Sequence, residues 1–111
     1  MIVDGLIDSG ADHNLFSIAV AKICGIDLAH TTKVKTNKYN QRKAKETGLL
    51  VPVKYTLGNY EWVGATVFLD TEEPHGLLGQ EGFFDAFDVL FSYKNKTMDL
   101  RPTNAEIIDS L

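Results

Sequence analysis

Cysteine is almost absent from this chain of 111 residues: Cys24 stands alone, so no disulfide can close within it and no set of thiolates can hold a metal. That usage gives no sign of an oxidising compartment. Basic charge is also in deficit, with 11 Lys and Arg against 15 Asp and Glu and a formal net charge of −4. Nucleic acid calls for a basic face that outweighs the acidic residues, so it is not an expected partner. Long apolar runs are missing too, and no stretch approaches the length of a membrane span. The opening "MIVDGLIDSG" has no basic n-region and meets Asp4 and Asp8 early, unlike a secretory leader. A soluble, cytoplasmic protein with no membrane partner is the expectation.

What is present is an apolar fraction of 44%, enough for one globular domain over residues 1–111 with a core of its own. Ile2 to Ile7 is an apolar run of strand type, interrupted by Asp4-Gly5 and followed at once by the turn chemistry of Asp8-Ser9-Gly10. A strand therefore ends at Asp8, where a carboxylate at the edge of the core loses hydration and needs a reason to be there. "FSIAVAKICG" predicts a short helix, with Ser17 as its N-cap, Ile18 to Cys24 as about two turns and Gly25 as the left-handed residue that closes it.

Six of the eleven basic residues lie between Lys33 and Lys45 without an apolar period, which predicts an exposed, mobile loop. Beyond Gly48, Leu49, Val51, Val53, Tyr55 and Leu57 alternate with polar residues as one face of a strand. Gly58-Asn59 supplies a two-residue type II′ turn, and "YEWVGATVFLD" returns as the partner. Pro52 suits an edge or a strand end rather than a central ladder position. The last third predicts a short helix around Gln80 to Phe87 and a hairpin turning at Lys94-Asn95-Lys96. "GLIDSGADHNLF" and "GLLGQEGFFDAF" echo one another, as two similar halves of a pseudo-twofold domain would. Trp62, Phe83, Phe84, Phe87 and Phe91 are expected in the core or at a dimer contact. His13, His30 and His75 show no metal-ligand spacing, so no metal is expected and all three are read as surface or loop residues. Ser9 and His13 supply two members of a nucleophilic triad by composition, but nothing orients them on a loop.

"LIDSGAD" resembles the Asp-Thr/Ser-Gly-Ala motif of the retropepsins, the single-domain aspartic proteases. "GLLGQEGFFDAFDVLFSYKNKTMDL" is similar to that family's second hallmark, an apolar-apolar-Gly element, a helix and a closing hairpin. The resemblance spans essentially the whole chain. It implies a mainly β domain, a closed barrel of the acid-protease type with one or two short helices, forming half of a C2 homodimer. It implies Asp8 as the catalytic residue, facing its counterpart across the twofold axis so that the two carboxylates share one proton. The function implied is endopeptidase cleavage of a peptide or protein substrate by a water that this dyad activates, with no cofactor.

In the same resemblance Ser9 locks the two active-site loops together, Gly10 allows close approach of substrate, and Ala11 keeps the pocket wall small. Asp12 and His13 fall where substrate would be touched. The 33–45 stretch falls where the family has its flap, the hairpin that closes over bound peptide. Gln80 follows Leu77-Leu78-Gly79 where many relatives carry arginine, so a charge pair with Asp12 becomes a neutral hydrogen bond. The alternative reading is a module that keeps the fold and the Asp8 motif for dimerisation or peptide binding but does not turn substrate over.

Overall fold

The structure, a computed structural model, describes residues 2–38, 41–104 and 108–109. Among the described residues nine strands and one helix follow one another in the order β1 (Gly5–Ile7), β2 (Asn14–Ser17), α1 (Ile18–Ile23), β3 (Thr32–Lys38), β4 (Gln41–Leu57), β5 (Tyr60–Leu69), β6 (Gly76–Leu78), β7 (Phe87–Ser92), β8 (Thr97–Pro102) and β9 (Ile108–Asp109). Seven of the strands form one sheet in the order β1-β6-β2-β5-β4-β3, with β9 pairing the start of β5, while β7 and β8 make a separate hairpin. The sheet is a curled half-barrel, so the domain is mainly β as expected, while the sheet path runs from β1 to β3 without closing. Among the described residues no helix is long and apolar enough to cross a membrane.

Two short strands from the beginning of the chain straddle one from its last third. β1 runs parallel to β6 with Gly5 opposite Gly76, Leu6 opposite Leu77 and Ile7 opposite Leu78. β2 lies on the other side of β6, antiparallel, with Leu15 opposite Leu77. The loop 8–13 thus crosses the end of β6. The two echoing segments meet here, since their Gly-Leu-Ile and Gly-Leu-Leu elements are the residues paired in register.

β2 is buried along its whole length because both of its faces are covered. Leu15, Val67, Leu69 and Leu77 pack with Ala11, and Val34 and Leu50 close over them. On the opposite face Phe16 and Phe68 pack with Ala21 of the helix, against Val51, Val53 and Leu78. Alternate residues of β2, β5 and β6 supply the two layers, as period-two side chains must. A third cluster joins Trp62, Phe83, Ala86 and Phe87 and anchors the β7–β8 hairpin through Val89 and Leu100. Burial of each of its two phenylalanines contributes about 1.5–3 kcal/mol.

The helix starts and stops where the residues predict. Ser17 accepts a hydrogen bond from the Val20 N–H at its N-terminus, and Gly25 follows with φ +73°. Gly58 (φ +57°) turns β4 into β5, with Leu57 opposite Tyr60, and Lys96 (φ +55°) turns β7 into β8. β3 pairs β4 only as far as Thr32 opposite Leu50, so Pro52 sits where β4 becomes an edge, as expected.

Two local expectations need correction. The 33–45 stretch is not a loop over its described residues: β3 pairs the first half of β4 from Thr32–Leu50 to Lys38–Gln41, with an irregularity after Asn37. Main-chain hydrogen bonds build this hairpin, and a ladder of that kind leaves little trace in the side-chain pattern. Residues 39 and 40 of that stretch lie outside the described residues. Residues 82–86 form consecutive turns instead of a helix. Gly82 has φ +110°, outside the helical region, and its carbonyl is taken by the indole N–H of Trp62 at 2.7 Å. The expected aromatic core holds for Trp62, Phe83 and Phe87, whereas Phe91 is 62% exposed on the β7–β8 hairpin.

Candidate active site

Asp8 follows β1 directly, half-buried, at the start of the crossing loop. Its N–H donates to the Leu78 carbonyl at 2.9 Å, which extends the β1–β6 pairing by one residue. Its Oδ1 accepts the Gly10 N–H at 2.9 Å, and its carbonyl accepts the Ala11 N–H at 3.1 Å. The Asp8 side chain therefore closes a tight turn on its own backbone. Ser9 and Gly10 are exposed at the tip of that turn, and Ala11 is buried beneath it.

The rest of the loop is clasped by residues 79–81. The Gln80 N–H donates to the Ala11 carbonyl and the Glu81 N–H to the Asp12 carbonyl, each at 2.9 Å, and the Asn14 N–H donates to the Glu81 carbonyl at 3.0 Å. The Gln80 side-chain amide donates to the Ser9 carbonyl at 2.7 Å. The neutral bond expected of Gln80 thus goes to the Ser9 backbone. Asn14, fully buried, accepts the Gly79 N–H on Oδ1 at 2.9 Å. A side chain cannot fit at position 79, where a Cβ would come within 2.5 Å of the His13 carbonyl oxygen and 2.6 Å of that of Ala11.

The six expected site residues occupy this one loop. Asp12 is exposed, and His13, half-buried, places Nε2 at 3.3 Å from Glu81 Oε2, a bond that is ionic when the imidazole is protonated. His13 is tied to the clasping segment by this contact and by the pairing of its backbone with Glu81. Asn14 and Glu81 are the site residues that motif reading missed. The one signal was a polar side chain, Asn14, opening the apolar run "LFSIAV".

Behind the loop, the Tyr55 hydroxyl pairs with the Thr66 hydroxyl, and Thr66 also donates to the Gly64 carbonyl at 3.1 Å. Burial pushes the Tyr55 hydroxyl above its ordinary pKa, with Thr66 and the nearby Asn14 amide pulling weakly the other way. A cavity of about 690 Å³ lies along β4, lined by Phe16, Val20, Val53, Tyr55 and Phe68, and none of residues 8–13 borders it. The loop and the cavity are separate features.

No family model, curated protein or solved structure matches the chain. The functional reading therefore stands on the loop itself.

Proposed function

We propose that the chain is the subunit of a homodimeric aspartic endopeptidase, with one Asp8 from each copy forming the catalytic dyad. The observation that carries the reading is the setting of Asp8: a half-buried carboxylate on a turn pinned to residues 78–81. The ion pairs among the described residues, His13–Glu81 and Lys54–Glu61, leave Asp8 without a cation. A half-buried carboxylate with no cation beside it supports a chemical role for Asp8 in this reading. β1, which leads into the turn, ends the sheet and carries Leu6 at 55% exposure. In this reading the second copy covers Leu6 at that edge.

In this reading the fold is of the acid-protease type. The ionised member of the dyad takes a proton from a shared water, whose oxygen bonds to the scissile carbonyl carbon. The protonated member donates a hydrogen bond to the carbonyl oxygen as negative charge grows on it. As the C–N bond breaks, the leaving nitrogen receives a proton from the dyad. Ser9 and Gly10, exposed beside Asp8, face the partner loop and the substrate backbone, while Asp12 and His13 flank the peptide.

The test is cleavage of a peptide library at mildly acidic pH by the native protein and by Asp8→Asn, with sedimentation alongside. Turnover by a dimer that disappears in Asp8→Asn supports the enzyme. A strict monomer, or a native protein that never cleaves, rejects it, and peptide binding without cleavage identifies a binding module instead.

A further inference from the structure

Charge is divided unevenly along this chain. Residues 33–45 hold six of the eleven Lys and Arg and none of the fifteen Asp and Glu, leaving five basic residues against fifteen acidic ones elsewhere. Over its described residues the basic stretch is part of the β3–β4 hairpin. On β3 the alternation is clean: Val34 packs on the cluster that contains Ala11 and Thr36 is buried, whereas Lys33 and Lys35 are exposed. Neither lysine takes part in the ion pairs found among the described residues. Lys33 and Lys35 are therefore turned away from the core of an otherwise acidic molecule.

We propose that this outward face is a docking surface for an extended, acidic polypeptide segment. Lys33 and Lys35 are two residues apart on one strand, about 7 Å, which is also the spacing of alternate side chains in an extended peptide. Acidic residues at alternate positions match the two ammonium groups without bending either chain. Nucleic acid fits less well. Its phosphates continue beyond β3, a strand of seven residues or roughly 23 Å, onto a body that repels them. A short acidic segment keeps its charge on the hairpin. Because Val34 packs in the same cluster as Ala11, a segment docked here lies on the element next to the Asp8 loop. The identity of that segment as substrate rests on the protease reading, and the docking itself does not.

The experiment uses the Asp8→Asn protein, so that binding is read without cleavage. Fluorescence anisotropy follows a labelled peptide of alternating Glu and Thr, the same peptide with Gln for Glu, and a single-stranded oligothymidylate of equal charge. The Glu peptide is expected to bind about tenfold more tightly than the Gln peptide, with the difference shrinking between about 50 and about 300 mM NaCl. Lys33→Glu with Lys35→Glu, both exposed, should abolish the preference, and Lys33→Gln with Lys35→Gln should weaken it. Equal binding of the two peptides, indifference to the lysine substitutions, or tighter binding of the oligonucleotide overturns the proposal. Cleavage by native protein is scored separately: if no peptide is cut yet the Glu peptide binds through the lysines, the protease reading falls and the docking surface stands.

Discussion

The side-chain oxygen of Asn14 accepts the backbone N–H of Gly79 at 2.9 Å across 65 residues of sequence, inside the core. This bond joins β2 to the residue after β6, and between them runs the loop that carries Asp8. Asn14→Ala leaves the Gly79 N–H buried without an acceptor, so stability should fall by about 1–3 kcal/mol. Urea denaturation followed by Trp62 fluorescence measures this. An unchanged midpoint would show that the bond does not hold the clasp.

Gly79→Ala should be worse tolerated than its size suggests. The added methyl meets two backbone carbonyl oxygens, of His13 and Ala11, within 2.6 Å. Neither can move without pulling on the Asp8 turn. A loss of about 2 kcal/mol or more is expected, together with a fall in any peptidase activity, by thermal unfolding and peptide cleavage. Glycine's lack of a side chain is the requirement here.

Gln80→Ala tests positioning apart from stability. Its side-chain bond to the Ser9 carbonyl is exposed, so its removal should cost under about 1 kcal/mol. Ser9 nonetheless neighbours Asp8, and loosening its carbonyl should lower kcat with little change in KM. Equal kcat in the two proteins would assign Gln80 to folding alone.

Tyr55 predicts an alkaline dependence of stability. Burial raises its pKa in the folded protein, so the folded state keeps this proton after the unfolded chain has begun to lose it near pH 10. The Tyr55 contribution is complete below pH 10 and declines as pH rises from there through the raised folded value. Tyr55→Phe should lose stability at neutral pH, because the Thr66 hydroxyl loses one of its two hydrogen bonds, but should fall less steeply above pH 10. Parallel slopes for the two proteins in denaturation series would rule out Tyr55 as the source.

The local elements were legible wherever short-range chemistry decides them. Ser17, Gly25 and Gly58 marked a helix start, a helix end and a turn, because caps and positive φ depend on the residue itself. The alternation from Leu49 to Leu57 likewise marked a strand. The helix expected over Gln80 to Phe87 failed for the opposite reason. Gly82 takes a non-helical φ of +110° in the middle of that stretch, and Trp62, far away in sequence, holds its carbonyl by the indole N–H.

By its sequence alone this protein is determined to be a single chain of mixed apolar and acidic character, with one basic stretch and an Asp-Ser-Gly turn at the end of an apolar run. Tertiary structure decided that this turn crosses β6 and is clasped by Leu78, Gly79, Gln80 and Glu81. It also decided that β3 and β4 pair as a hairpin on which Lys33 and Lys35 are exposed. The crossing is settled by hydrogen bonds between segments distant in sequence and the hairpin by bonds between neighbouring strands, and a main-chain donor or acceptor is the same group in every residue but proline, so residue identity does not announce its partner.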